Sequence, residues 1–297
     1  MSDVPVRVEK RLALIKRLDH MILCARDRKD WVPLVERVLG LQVGRSREGD
    51  EWGFSDAEFN IGDGFLGLVE PTGDDSPLHR FLARFPEGFY GVSVDVGSLT
   101  EAAAFLDDQN VRYRKAMRDD HVALLWVPAS VTGGVVYQLT APLPVAQGAN
   151  PEYLGFARVV IAVDRLDSAL AAYRHCFGLE QTGDVVNAHL GFVGAELAIP
   201  GASGGDSIIL AVASDSDGPF ASRRASTGPG IFQFTIDVRD LDAELGRLPP
   251  TRWRLPRPSG RTRGWPGSIR MRSTGYGSNC ARPPDGRAAC ESNTRAA

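Results

Sequence analysis

Four residues of unlike chemistry stand at one recurring point of this chain. His20, Gly91, Arg158 and Gln233 each fall in a segment of the same shape, an apolar strand, an acidic or small polar turn and then an amphipathic helix. The segments are LDHMILCARD (18–27), FYGVSVDVGSL (89–99), FARVVIAVDRLD (156–167) and IFQFTIDVRDLD (231–242). An imidazole at such a point can move a proton, hydrogen-bond or coordinate a cation. A guanidinium offers a planar fork to a carboxylate or phosphate. Glutamine adds one neutral donor and acceptor, and glycine contributes no side chain.

The elements that must carry these residues follow from the repeat. Successive copies lie 71, 67 and 75 residues apart, a period that marks stacked structural units. In the first, Trp31, Leu34, Val35, Val38 and Leu39 recur at helical spacing, and Gly40 then ends the helix. Residues 166–178 repeat that pattern with Ala169, Leu170, Tyr173, Cys176 and Phe177 ahead of Gly178, and 98–109 and 241–248 are shorter versions. Strands follow each helix. Residues 65–69 lead into a loop at 70–77, 122–127 and 135–140 flank a wide hairpin, and 185–192, 196–199 and 207–213 repeat the arrangement. The expected unit is therefore βαβββ in an α+β fold. A ferredoxin-like unit has a similar period, but one helix followed by three strands argues against it.

Composition bounds the partners. The chain has 297 residues, is 43% hydrophobic and carries a net charge of −3, so neither nucleic acid nor a membrane is the expected partner. No run approaches the roughly 18 apolar residues of a membrane span, and the N-terminal stretch lacks a signal-peptide core. A cytoplasmic location is the expectation. Cys24, Cys176, Cys280 and Cys290 form no CxxC pair, hence neither a disulfide framework nor a zinc signature. The charge is uneven: ten arginines and two acids give residues 249–297 a charge of +8, leaving −11 on residues 1–248.

The stretch LDHMILCARD, VLGLQVG, FLGLVEPTGDDSP, EGFYGVSVDV and LLWVPASVTGGVVYQL resembles the vicinal oxygen chelate superfamily over residues 17–140. That superfamily includes glyoxalases, bleomycin-resistance proteins and extradiol dioxygenases, and this stretch is similar to methylmalonyl-CoA epimerases and glyoxalase-like proteins. Residues 154–248 resemble the same domain less closely. The resemblance implies an N-terminal extension (1–16), a first domain (17–142), a linker (143–153), a truncated second domain (154–248) and a tail (249–297). It also implies a divalent metal (Fe, Mn, Co, Ni or Zn) in the cleft of paired modules, with ligands on the first and last strand of each. Those positions read His20, Gly67, Gly91 and Gln138 in the first domain. In the second they read Arg158, Leu210 and Gln233, with the fourth lost in the tail.

The metal set is incomplete, because glycines donate nothing and an arginine repels a cation. His20 and Gln138 are its remaining candidates. Arg158, Gln233, His121 and Trp126 are candidates for binding an organic ligand. Glu70 is expected to be a solvated loop carboxylate, His121 to pair with Asp119 or Asp120, and His79, His175 and His189 to lie at the surface. Trp31, Trp52 and Phe54 could line a cavity or fill the core. Three functions compete. An extradiol dioxygenase is opposed by Arg158 and Gln233 standing where its histidines belong. A lyase or epimerase would use His20 and Gln138. A metal-free protein would bind or sequester a small molecule as a monomer or homodimer.

The tail breaks every pattern. Rich in Arg, Pro, Gly and Ser, it is expected to supply no core strand for the fourth module. Reading each codon's last base with the next codon's first two across 265–280 permits Ala-Trp-Ile-Asp-Pro-Asp-Ala-Val-His-Gly-Val-Arg-Ile-Glu-Leu. That string matches the Trp-to-Leu length of residues 126–139 and would place a Glu at the fourth ligand position. The expectation is a frameshift shortly after Leu248. Sequencing the DNA over these codons should reveal one insertion or deletion that restores an open, strand-forming frame; finding none removes the idea.

Overall fold

A module of this kind cannot bury its own apolar face, so the chain solves that problem by pairing. A computed structural model describes residues 13–49, 52–118, 120–142, 150–202 and 205–247, with the segments 268–273, 279–281 and 289–291. The first module runs β1 (Arg17–Cys24), α1 (Arg28–Leu39), β2 (Val43–Arg47), β3 (Phe54–Ile61) and β4 (Gly64–Pro71). Asp27 caps α1 by accepting from the Lys29 amide at 2.8 Å, and Gly40 ends it in the left-handed conformation that its missing Cβ makes cheap. Trp31, Leu34, Val35 and Leu39 are the buried stripe. The chain then crosses through a helix the periodicity does not announce, α2 (Leu78–Arg84), into the second module.

That module comprises β5 (Gly88–Asp95), α3 (Leu99–Asp108), β6 (Arg114–Arg118), β7 (His121–Val127) and β8 (Val136–Thr140), with the single turn α4 (Ala129–Thr132) inside the wide hairpin. The two modules join through their first strands. β1 pairs antiparallel with β5, and the sheet order is β2-β3-β4-β1-β5-β8-β7-β6.

The second domain repeats the plan with β9 (Tyr153–Ala162), α5 (Leu166–Phe177), β10 (Gly183–Asn187), β11 (Phe192–Ala198) and β12 (Ser207–Ala213). A second unannounced crossover helix, α6 (Pro219–Thr227), leads to β13 (Gly230–Val238) and α7 (Leu241–Arg247). The tail, expected to give no core strand, supplies one. β14 (Ser268–Ser273) lies parallel to β13, where β8 lies beside β5, giving the order β10-β11-β12-β9-β13-β14. Ile269 and Met271 alternate with Ser268, Arg270 and Arg272, and Met271 is buried, so six residues satisfy the strand period in an otherwise unsuitable sequence. Among the described residues this sheet remains two strands short of the first. β15 (Asn279–Ala281) and β16 (Ala289–Glu291) pair only with each other. Most of the suspected out-of-frame stretch lies outside the described residues. No helix among them is long and apolar enough to cross a membrane.

The helix-covered faces of both sheets merge into one core. Tyr137 of the first domain meets Tyr173 edge-on and shares a 3.1 Å hydroxyl contact with it. Phe89 meets Phe234 at a 5.0 Å centroid distance. The N-terminal extension ends inside this junction: Ala13, Leu14 and Ile15 are buried, and the Leu14 amide donates to the Phe177 carbonyl at 2.9 Å. Arg247 on α7 reaches the last turn of α1, donating to the Leu39 carbonyl at 2.8 Å, while Glu244 accepts from its Nε at 2.9 Å. A cation there complements the helix C-terminus.

Asp206 also bridges the domains by accepting from the Leu18 amide at 2.9 Å. Burial pushes its carboxyl up to about 6, aided by Asp63 and Asp237 and opposed by the Leu18 hydrogen bond and Arg17. The folded protein therefore keeps a proton that the unfolded chain releases near pH 4. Stability should be fully present below about pH 4 and fall by up to about 3 kcal/mol as pH rises to about 6. Urea denaturation across that window should show the slope, and Asp206→Asn should flatten it; an unchanged slope in the variant would assign it elsewhere.

Candidate functional site

Strand register fixes which residues share the concave faces. His20 stands opposite Ser93, and Ser93 lies beside Gln138, so these three project from the same face. The adjacent position on that face pairs Ile22 with Gly91 and sets Gly67 beside it. In the second domain Arg158 lies beside Ser207 and opposite Thr235, while Val160 lies beside Ile209 and opposite Gln233. The equivalent of Gly67 and Gln138 is therefore Ile209, not Leu210. A one-residue slip on a strand changes faces, and Leu210 sits in the helix-covered core. The fourth position is occupied in register by Arg270, opposite Thr235 on β13. Gln233, expected opposite Arg158, is buried opposite Val160 instead.

The structure brings His20 and Gln138 together. The buried imidazole stacks on Phe65 with ring centroids 3.9 Å apart. Its Nδ1 lies 2.6 Å from Asp19 and its Nε2 3.1 Å from Gln138 Oε1. With Nδ1–H given to Asp19, Nε2 either donates to the Gln138 carbonyl or, with that amide turned round, accepts from it. Burial works to raise the Asp19 carboxyl, but the hydrogen bond and charge of His20, together with Arg17, hold it below the usual carboxylate range. Ser93, fully buried beside this pair, has no hydrogen-bond partner for its hydroxyl among the described residues.

Arg158 is engaged as well. Its Nε donates to Ser207 at 3.0 Å and its terminal nitrogen to Glu196 at 2.8 Å. The rest of that concave face is filled by Val160, Ala162, Phe192, Ile209, Phe220 and Phe232. His121 is exposed at the start of β7, opposite Arg118 and at the other end of the strand from Trp126. Glu70 is not a solvated loop carboxylate. It accepts from the Arg28 amide at 2.7 Å and from its guanidinium at 2.9 Å, serving the first turn of α1. Trp31 belongs to the core, whereas Trp52, Phe54 and Trp126 gather over Ile22 and Cys24 on the concave side.

These positions do not fit a chelated metal. Two of the four in the first domain are glycines, and a Cβ at Gly91 would stand 2.7 Å from the Val136 carbonyl oxygen. Both nitrogens of His20 have partners already. Among the described residues, no group of three or more His, Cys, Asp or Glu side chains converges to hold an ion.

Open space lies elsewhere, at the junction of the domains. A cavity of about 430 Å³ is walled by α2 and the start of β5 on one side and by α6 and the start of β13 on the other. Its apolar lining includes Phe81, Phe89, Tyr90, Tyr113, Trp126 and Phe232. Of the sequence candidates only Trp126 reaches it. Four arginines line it from α2 and α6, Arg80, Arg84, Arg223 and Arg224; the strings LHRFLARF and FASRRAST carry them without an apolar stripe long enough to mark a helix.

No family model matches the chain. It is 29% identical over 133 residues to the uncharacterized protein YqjC of Bacillus subtilis, covering 43% of this chain and 94% of that protein. It is 28% identical over 127 residues to the mitochondrial methylmalonyl-CoA epimerase of Bos taurus, covering 41% and 73%. A mutant 4-hydroxymandelate synthase from Streptomyces coelicolor superposes with a TM-score of 0.66 at 15% identity, over 78% of this chain and 74% of that one. The chain shares the fold of that synthase, the paired-module fold of the vicinal oxygen chelate superfamily, and its first domain is similar in sequence to methylmalonyl-CoA epimerase. It carries two paired-module domains in tandem, and the curated relatives match a stretch about one domain long.

The crowding at Gly91 separates two otherwise similar substitutions. Gly91→Ala should cost about 1–3 kcal/mol through overpacking. Gly67→Ala, whose nearest neighbour would be the Phe65 ring at 3.4 Å, should change stability by less than about 1 kcal/mol. Equal urea midpoints for the two variants would refute the reading of Gly91.

Proposed function

We propose that this chain binds a small organic molecule and does so without a metal at the superfamily's ligand positions. The observation that carries the reading is the direct contact of His20 with Gln138, with glycines at the other two positions: the two remaining donors satisfy each other. In the second domain the matching place holds Arg158 paired to Glu196, a cation where a cation would have to bind. A metal-dependent lyase, epimerase or dioxygenase of this lineage needs several side-chain donors around one point, and the register supplies too few. The junction cavity is within the size range of small-molecule sites and has the apolar, aromatic lining typical of them.

Elemental analysis and thermal melts test this together. After dialysis the full chain should retain well under one equivalent of iron, manganese, cobalt, nickel or zinc. Adding each ion should leave the melting temperature unchanged, because an ion that does not bind the native state cannot stabilise it. A stoichiometric ion that is lost in His20→Ala would overturn the proposal.

A further inference from the structure

The body of this protein is acidic, yet the junction cavity is lined by Arg80, Arg84, Arg112, Arg114, Arg223 and Arg224 and by no aspartate or glutamate. Only Arg224 has a carboxylate partner, Asp164. Arg112 donates to the Ser130 hydroxyl at 2.8 Å, and Arg84 lies over the Phe85 ring. Arg80 and Arg114 have neither a hydrogen bond nor an ion pair among the described residues. Both are nonetheless close enough to Tyr90 for their charges to act on its phenol, which burial pushes up to about 12.

Arg223 is the least comfortable of the six. It donates only to neutral oxygens, the Thr227 hydroxyl at 2.9 Å and the Ile231 carbonyl at 3.4 Å. Burial alone lowers its guanidinium to about 10. A desolvated cation with no anion nearby is costly, and like charges gathered round a cavity raise the cost further. Trp126, on the same wall, keeps its indole N–H buried and, among the described residues, without an acceptor. Three features thus point to a missing partner among the described residues: a half-buried cation lacking an anion, a buried donor lacking an acceptor, and aromatic walls with open volume between them.

The arrangement has a rough two-fold logic. Arg80 on α2 and Arg223 on α6 each stand four residues before the last residue of their helix, and each helix leads into the first strand of its module at Gly88 or Gly230. The crossovers of two successive domains thereby present a guanidinium to one space.

We propose that the junction cavity is a binding site for a small organic anion, a carboxylate or phosphate on a flat apolar body, with Arg223 meeting the charged end and Arg80 and Arg114 closing over it. The aromatic walls take the apolar body, and the Trp126 N–H serves an acceptor on the ligand. This rests on the reading of the chain as a small-molecule binder and adds the class of molecule and the place.

Calorimetric titration of the full chain with 1-naphthoate, 1-naphthyl phosphate and the neutral 1-naphthalenemethanol tests it. Either or both anions should bind at least tenfold more tightly than the alcohol, and the preference between them identifies the charged group. Arg223→Met should erase that discrimination while leaving the alcohol within about twofold, and Arg223→Lys should restore part of it. Circular dichroism melts of both variants should match the parent. Charge-blind binding, an Arg223→Met protein that still discriminates, or no binding of any probe at millimolar concentration each overturns the anion site. Charge-blind binding would leave the metal-free binding function standing, whereas a stoichiometric metal would remove that function without touching the titration.

Discussion

The antiparallel pairing of the first strands of neighbouring modules, β1 with β5 and β9 with β13, is the contact on which everything else here depends. It buries the centre of each sheet, sets the two halves about a local two-fold and places equivalent residues opposite one another. The last strand of each module then has one place to go, alongside the first. Even the short β14 takes that place from a segment of unpromising composition. The register leaves little freedom for the concave face, so a substitution there changes chemistry without changing the frame. His20, Gly91, Arg158 and Gln233 show how far such substitution has gone.

Much of this frame is readable from the residues. The 3.6-residue stripes of α1 and α5, their terminal glycines and the regular period locate the modules and their order. The candidate site is readable only in part. His20 and Gln138 do meet, but the β12 position is Ile209 and not Leu210, because a run of consecutive apolar residues gives no signal of which side faces the cleft. The crossover helices left fainter marks. α2 has seven residues and begins after Pro77 with no side-chain cap, and α6 buries only Phe220. Neither has an apolar stripe long enough to stand out, since each buries only one or two side chains and gives the rest of its length to the cavity wall or the surface. The residues that wall the open space were therefore the hardest to find.

The two concave faces have diverged differently. In the first domain a hydrogen-bonded imidazole and amide close on each other beside an aromatic cluster. In the second, an ion pair and a plug of phenylalanines fill the space. The cavity between the domains lies beside both of these faces, at the ends of β5 and β13. A tandem arrangement permits this, because the seam is made of two chemically independent surfaces that can change without disturbing either sheet.

The buried stretch of residues 13–15 has a bearing on how the protein comes to exist. Leu14 finds its backbone partner on Phe177, and Leu18 finds one on Asp206, so this stretch needs residues synthesised far later. The first domain can assemble its sheet as it emerges, but its leading edge stays unsealed until α5 and β12 arrive. In that interval Ala13, Leu14 and Ile15 are exposed apolar surface. Slow translation between the domains would prolong the interval, and a chaperone that recognises short apolar segments would find its target there.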